Sequence, residues 1–222
     1  MNSKKEARSF EFEVRAEKNE EHGTFITGTP IVFGQETDLG FYRETISPEA
    51  LAETDLRDVR FLIGHNTGMI PLARSRNNNA RSTMQMTVTE RGMEIRVDLD
   101  TENNADARTL YSAVNRGDIS GMSFMFTVNR DSWEDLESDH PKRTIESIGR
   151  VFEVSAVAFP AYEGTDLQAA DETGALESAK AALESARSRA AAARAEEAEQ
   201  ERRRALLERL KKLTEVSNDD EV

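Results

Sequence analysis

The chain has 222 residues, of which 37% are hydrophobic and 32% charged, and its formal net charge is −13. This length allows one domain of about 150 residues plus an appendage. The acidic balance argues against nucleic acid as a main partner, because phosphate binding needs clustered lysine and arginine. The absence of cysteine excludes disulfides, thiolate zinc sites and a cysteine nucleophile, and it is typical of a reducing compartment.

No apolar run approaches the roughly 20 residues that a membrane-spanning helix needs. The N-terminal segment, MNSKKEARSFEFEV, has lysines without an apolar core behind them, which is not the pattern of a secretory signal. We therefore expect no membrane partner, and a soluble protein that stays in the compartment where it is made.

Two regions differ sharply in composition. All phenylalanines, tyrosines and prolines and the single tryptophan lie within residues 10–163, whereas residues 166–222 consist mainly of Ala, Glu, Arg and Leu. This difference predicts a folded domain over residues 1–165 and an appendage over residues 166–222.

Six segments of the first region have the alternating or β-rich character of strands. In chain order they are 10–14, 26–33, 61–64, the hairpin 84–100 with its Glu-Arg-Gly turn, 122–128 and 151–159. The last is apolar on both faces for much of its length, as expected of a central, buried strand.

Two short helices are predicted between these strands. Ser47 is a good N-cap and Pro48 suits the first helical position, so a helix is expected to begin there. Residues 103–114 change to a helical period, and Gly117 is the expected end of that helix.

The tail is predicted to be helical. Leucine and alanine recur at spacings of three and four, and the rhythm resumes after a charged stretch over 196–204. With so much alanine at the seam, the alternatives are a weak coiled coil and a single solvated helix without a partner. Residues 217–222 are acidic and expected to fray.

The three histidines differ in their surroundings. His22 and His140 lie in polar or charged connections, whereas His65 follows the apolar run FLIG, where a strand ends and a loop begins. Such a position suits a catalytic side chain on a rigid support, although a lone histidine is more often structural. Neither zinc-binding spacing nor a glycine-rich phosphate loop occurs, so no metal and no cofactor is predicted.

Ser123 interrupts an apolar run in RGDISGMSFMF, residues 116–126. On a strand, Met122, Phe124 and Phe126 would share one face, and Ser123 would lie on the other. Its hydroxyl is either bonded to nearby backbone or a nucleophile beside a cleft. Position alone favours the first alternative, because most strand serines do no chemistry.

Four blocks resemble the successive motifs of the tailed-bacteriophage prohead (capsid maturation) protease family. They are ITGTPIVFGQETDLGFYRETISPEAL (26–51), FLIGHNTGMIPLARS (61–75), RGDISGMSFMFTV (116–128) and VFEVSAVAFPAYEGT (151–165). All four occur in the family's order and at compatible spacing, and the ordered set is specific where one block alone would be weak.

The resemblance implies a serine endopeptidase related in fold to the herpesvirus assemblins. The expected fold is α+β but mainly β, a closed β-barrel over residues 1–165 with a few surrounding helices, followed by the helical tail over 166–222. The protein would act inside the immature capsid in the host cytoplasm. Its substrates would be the major capsid protein or its scaffold segment, and itself. Related viral proteases dimerise to become active, so a homodimer is also expected.

The family's catalytic residues fall on three positions of this sequence. The resemblance gives His65 as the histidine, Ser123 as the nucleophile and Glu153 as the third member of the triad. A serine hydroxyl needs a neutral imidazole to accept its proton, and a carboxylate on the far ring nitrogen would fix the tautomer. The two strands must be adjacent for this placement to hold.

Further positions near the expected site have alternative roles. Arg74 stands where the family has a Gly-Arg pair and would either support the oxyanion or form a surface salt bridge. Ala73 and Met125 replace glycines that are usual in the family, which would alter backbone approach or substrate fit. Ser120 is a nearby competitor for the nucleophile, and Ser155 shares the strand of Glu153.

Two other functions stay open from the sequence. The helical tail and the acidic charge equally suit a non-enzymatic capsid scaffold or assembly factor with a β domain. An unrelated metal-free hydrolase of small esters is the weaker alternative, since no specific feature favours it.

Overall fold

The computed structural model describes residues 5–10, 14–19, 23–158 and 175–219. The chain divides into two units, Met1–Ala181 and Ala182–Val222. The domain boundary predicted at residue 165 lies outside the described residues, so the division into 1–165 and 166–222 stays a prediction.

The described part is mainly β with two helices, one of them C-terminal. The mainly β character and the C-terminal helix agree with the sequence prediction. The elements in chain order are β1 Lys5–Phe10, β2 Arg15–Asn19, β3 Gly23–Val32, β4 Thr37–Asp38, β5 Arg43–Ile46, β6 Asp58–Ile63, β7 Ala73–Arg76, β8 Met84–Val88, β9 Gly92–Asp98, α1 Ala105–Arg116, β10 Gly121–Glu134, β11 Lys142–Val157 and α2 Ala175–Asp219.

The larger sheet is built around the long antiparallel pair β10 and β11. Its strand order is β1-β10-β11-β5-β4, and β6 pairs with β11 and with β7. Strand β11 has room for two parallel neighbours because it is 16 residues long. It pairs with β5 near its start, at Lys142 to Ile145, and with β6 near its end, at Glu153 to Ala156.

The smaller sheet has the order β2-β3-β9-β8. Its β8–β9 hairpin is the one predicted over residues 84–100, with a tight turn that ends at Gly92. A Cβ atom on Gly92 would lie 1.9 Å from the backbone oxygen of Ile31 on β3. Only glycine therefore allows β9 to start this close to its neighbour.

The described strands do not close into a barrel. Closure needs each terminal strand of a sheet to pair with the other, and the pairings of the described residues leave β1 and β4, and likewise β2 and β8, at the ends of their sheets. The expected closed barrel is therefore not supported. One hydrophobic cluster instead joins the sheets and α1, with Met93 from the small sheet, Phe124 and Val154 from the large sheet, and Leu110 from α1.

The helix predicted over residues 103–114 is confirmed as α1. Asn104 caps it by accepting hydrogen bonds from the backbone N–H groups of Asp106 and Ala107. Gly117 ends it in the left-handed conformation, with φ of 80°. The next strand, β10, begins four residues later and carries Ser123.

The helix predicted from Ser47 is wrong, because residues 48–53 form successive turns. The backbone N–H of Thr54 bonds to the carbonyl of Leu51, as in a turn, and not to that of Ala50. The Ala50 carbonyl instead accepts from the backbone N–H of Ile148 on β11. Because the Ala50 carbonyl bonds to β11, it does not accept the backbone N–H of Thr54 that a helix would require. Residues 48–53 therefore form turns instead of a helix.

The predicted tail helix is confirmed as α2, which runs to Asp219 and so into the segment expected to fray. Residues 220–222 lie outside the described residues, as do Phe12 and Phe159 of two predicted strands. Among the helices of the described ranges, none is long and apolar enough to cross a membrane.

Candidate active site

His65 lies immediately after β6, at a sharp change of backbone direction. Gly64 and His65 both have φ of 57°, a left-handed conformation that is uncommon for a residue with a Cβ atom. The turn is held by two hydrogen bonds to β11: Gly64 N–H donates to the carbonyl of Ala156 at 3.0 Å, and His65 N–H donates to Oγ of Ser155 at 3.1 Å. This anchoring turns the imidazole back toward the sheet.

The other two predicted residues lie on neighbouring strands. In the β10–β11 pair, Ser123 is opposite Ser155 and Met125 is opposite Glu153. Because side chains alternate along a strand, Ser155 and Glu153 share one face of β11. The adjacency of the two strands, which the sequence could only assume, therefore brings Ser123 and Glu153 to the same part of the sheet.

His65 bonds to both of these side chains. Its Nε2 atom lies 2.5 Å from Oγ of Ser123, and its Nδ1–H donates to Oε1 of Glu153. All three side chains are nearly inaccessible to solvent, with Ser123 fully buried. Burial strengthens hydrogen bonds between these groups because water does not compete for them.

Ser155 also belongs to this group of side chains. Its hydroxyl donates to Oε2 of Glu153 at 2.6 Å, while its oxygen accepts the backbone N–H of His65. Both oxygens of the carboxylate are thus bound, and the imidazole and the carboxylate are oriented by the same side chain. From the sequence, Ser155 was only a neighbour of Glu153 on the same strand, and no local pattern indicated this role.

Such an arrangement can activate a hydroxyl. An imidazole that donates from Nδ1 to a carboxylate presents a lone pair at Nε2, which can accept a proton from the serine as it attacks. Ser120, the competing serine, is exposed just before β10, while Nε2 of His65 lies against Ser123.

Arg74 lies on β7 and forms an ion pair. Its Nε and Nη2 atoms donate to the two carboxylate oxygens of Asp58 at 2.6 and 2.8 Å. The hydrogen bond lowers the pKa of Asp58 and raises that of Arg74. The salt bridge that the sequence left open is therefore present, and support of the oxyanion stays a prediction. Ala73 is buried beside it, and Met125 lies opposite Glu153.

His140, the other histidine of the described residues, takes no part in this group. His140 lies 3.3 Å from a carboxylate oxygen of Asp38, and both side chains are more than a third exposed. His22 lies outside the described residues. Over the ranges that the structure describes, no group of three or more acidic, histidine or cysteine side chains is arranged to hold a metal ion.

A buried charge cluster next to Ser123 was not predicted from the sequence. We call it the Arg8 cluster, and it consists of Glu6, Arg8, Tyr42, Glu44 and Arg143. Burial opposes its charges, but the facing groups outweigh this effect: the pKa of Glu6 is lowered and those of Arg8 and Arg143 are raised. Burial also raises the pKa of Tyr42. The residues of the Arg8 cluster come from distant parts of the chain, so no local sequence pattern predicts it.

Residues 10–179 match the model of one protein family, described as the caudovirus prohead serine proteases. The match covers most of the chain, including the positions of His65, Ser123 and Glu153. The chain belongs to the caudovirus prohead serine protease family. This prohead protease is therefore a bacteriophage protease of capsid maturation, as the resemblance of its four blocks implied.

The comparison with solved structures returned the capsid assembly protease of bacteriophage T4. Its sequence is 13% identical to that of the prohead protease, with a TM-score of 0.36, and the match covers 68% of this chain and 98% of that chain. A search of curated proteins gave no match.

Proposed function

We propose that this prohead protease cleaves peptide bonds with Ser123 as nucleophile, His65 as general base and Glu153 as the carboxylate that orients the imidazole. The observation that carries the proposal is the placement of His65, with one ring nitrogen on the serine hydroxyl and the other on the carboxylate. No other described serine of the site bonds to the imidazole ring.

The reaction proceeds in two steps, formation of an ester on Ser123 and hydrolysis of that ester. Oγ of Ser123 attacks the carbonyl carbon of the substrate while its proton passes to Nε2 of His65. The tetrahedral intermediate collapses when His65 returns that proton to the leaving amine, which departs and leaves an ester on Ser123. A water molecule then gives its proton to His65 and attacks the ester. This releases the new carboxylate and restores the hydroxyl.

The substrates that fit family membership are the scaffold segments of an immature capsid and the protease itself. Cleavage would occur inside the prohead, in the host cytoplasm. We infer that residues 1–165 form the protease domain and that the aromatic-free tail over 166–222 is a scaffold-like or capsid-targeting appendage. A homodimer remains the expected assembly.

Self-processing tests this assignment. Ser123→Ala removes the attacking oxygen, so we expect self-cleavage to fall by at least about 10⁴-fold and the full-length chain to accumulate. Ser120→Ala is the matched control, because that serine is exposed and close in sequence; its rate should stay within about twofold of the wild type. Gel electrophoresis with intact-mass spectrometry measures both. Normal processing by purified Ser123→Ala would refute the proposal and favour a scaffold that other proteases cut.

A further inference from the structure

Strand β1 covers the edge of the sheet where Ser123 lies. It is the end strand of the order β1-β10-β11-β5-β4 and pairs antiparallel with β10, with Ser9 opposite Ser123. Extended peptides bind proteins by adding a strand to such an edge. Without β1, the edge of β10 beside the nucleophile would be open to another extended segment.

The backbone of β1 contacts the nucleophile directly. The hydroxyl of Ser123 donates to the carbonyl oxygen of Arg8 at 2.7 Å, while Nε2 of His65 lies 2.5 Å from Oγ of Ser123. A hydroxyl has one proton to donate, so the Arg8 carbonyl competes with the imidazole for it. Because Ser123 is also fully buried, this arrangement is a closed, resting one.

The side chain of Arg8 fills an acidic pocket. Its Nε and Nη2 atoms donate to the two oxygens of Glu44 at 2.5 and 2.8 Å, and Nη2 also donates to the hydroxyl of Tyr42 at 3.0 Å. A bidentate contact of this kind, with both carboxylate oxygens on one guanidinium, is specific for the planar side chain of arginine. The arginine whose carbonyl lies at the nucleophile is therefore held by a dedicated set of partners.

Glu44 needs a guanidinium from the segment in the β1 position. When β1 is left out, Glu44 keeps its bond to Nη1 of Arg143 at 3.0 Å but loses both bonds to the Arg8 guanidinium. A buried carboxylate that loses its cation is costly, so the pocket favours a segment that supplies a guanidinium again.

A second contact binds Glu6, the residue two positions before Arg8. Glu6 accepts from Nη1 and Nη2 of Arg143 at 2.7 and 3.0 Å. Residues two apart on a strand share a face. The cluster thus fits an extended segment with an acidic residue, one intervening residue and then arginine.

We propose that β1 occupies the substrate groove of the protease and that the Glu44–Tyr42 pocket selects peptides with arginine on the N-terminal side of the bond to be cleaved. This inference rests on the proposed function of Ser123. Strand β1 blocks the substrate groove until it is displaced, because the side chain of Arg8 occupies the pocket that binds the substrate arginine. Glu44 is the specificity residue for that arginine, and Arg143 binds the acidic residue two positions before it.

The same pattern recurs at an exposed place in α2. Glu201, Arg202 and Arg203 repeat the order of an acidic residue, one intervening residue and then arginine. All three residues are exposed on that helix. Hydrolysis of the bond after Arg203 would consume one water and leave a carboxylate on Arg203 and an amine on Arg204, once the helix unwinds locally.

The test measures how fast a fluorophosphonate labels Ser123 in the full-length chain. Arg8→Ala removes the side chain that anchors β1, so labelling should become faster by about tenfold or more. Lys5→Ala is the control on the same strand, with an exposed side chain outside the cluster, and its rate should match the wild type. Arg8→Lys keeps the charge but loses the bidentate contact; it should label at an intermediate rate and serves if Arg8→Ala does not fold.

Peptide competition in the released variant tests the pocket. A synthetic peptide of residues 4–10 should slow the labelling of the Arg8→Ala chain, whereas the same peptide carrying Arg8→Ala should not. Self-generated fragments should end at arginine, first at Arg203, when their termini are mapped by mass spectrometry. Equal labelling of wild type and Arg8→Ala, equal competition by both peptides, or fragments ending at non-basic residues would each overturn the inference and leave the proposed function standing. Absence of label on Ser123 in every variant would instead remove the proposed function.

Discussion

At the scale of single residues, the site depends on how both oxygens of Glu153 are occupied. His65 bonds to one and Ser155 to the other. A carboxylate held at both ends cannot rotate away from the imidazole, so the ring keeps the tautomer with its proton on Nδ1. The left-handed φ of His65 is maintained by the same hydroxyl, which accepts its backbone N–H.

Ser155→Ala tests this positioning role. The variant loses one hydrogen bond to Glu153 and one from the backbone of His65, but it keeps all three groups of the proposed triad. We expect kcat to fall by about 10- to 100-fold with KM nearly unchanged, because substrate binding does not involve this hydroxyl.

Steady-state kinetics on a peptide substrate measure the two constants separately, and Ser155→Thr, which retains the hydroxyl, should recover part of the rate. A rise in KM with unchanged kcat would place Ser155 in substrate binding and contradict the positioning role.

Residue types of the proposed triad could be predicted from the sequence, but the partners of these residues could not. His65, Ser123 and Glu153 stand in motifs that resemble a family, and their role as a triad is the proposal made above. Ser155 and the Arg8 cluster escaped prediction because their contacts join residues far apart in the chain. For example, Arg8 and Arg143 both bond to Glu44, and neither hydrophobic period nor local spacing encodes such pairing.

At the scale of elements, the long strands determine where the site forms. Periodicity predicted the inner parts of β10 and β11, but both strands are longer than the predicted segments 122–128 and 151–159. The missed parts are rich in charged residues, so they lack the apolar alternation that marks a half-buried strand. Their pairing makes β11 long enough to bind β5 at one end and β6, which leads to His65, at the other.

Gly92→Ala tests the close approach of β9 to β3. The new Cβ atom would collide with the backbone of Ile31, so we expect the free energy of unfolding to fall by about 3 kcal/mol. Gly117→Ala is the matched control: its φ is also positive, but no atom lies within 4 Å of the added Cβ. It should cost only about 1 kcal/mol.

Urea denaturation of the two variants separates steric collision from backbone strain. Equal losses of stability in Gly92→Ala and Gly117→Ala would show that the approach of β9 to Ile31 relaxes at little cost.

At the scale of the whole molecule, the chain combines a protease region with a long polar helix. The aromatic-free composition after residue 165 predicted that helix, because Ala, Glu, Arg and Leu are strong helix formers. The closed barrel, by contrast, was expected from the resemblance and is not supported by the described pairings. Closure depends on which strands meet at the sheet edges, and strand patterns alone do not determine this.

Location of a covalent adduct tests the central claim most directly. Prolonged exposure of the full-length chain to a fluorophosphonate, followed by tandem mass spectrometry, identifies the serine that attacks. The account predicts the adduct on Ser123, its loss in His65→Ala and its retention in His140→Ala, since His140 is an exposed histidine away from the site. An adduct on another serine, or labelling of Ser123 in His65→Ala at the wild-type rate, would contradict it.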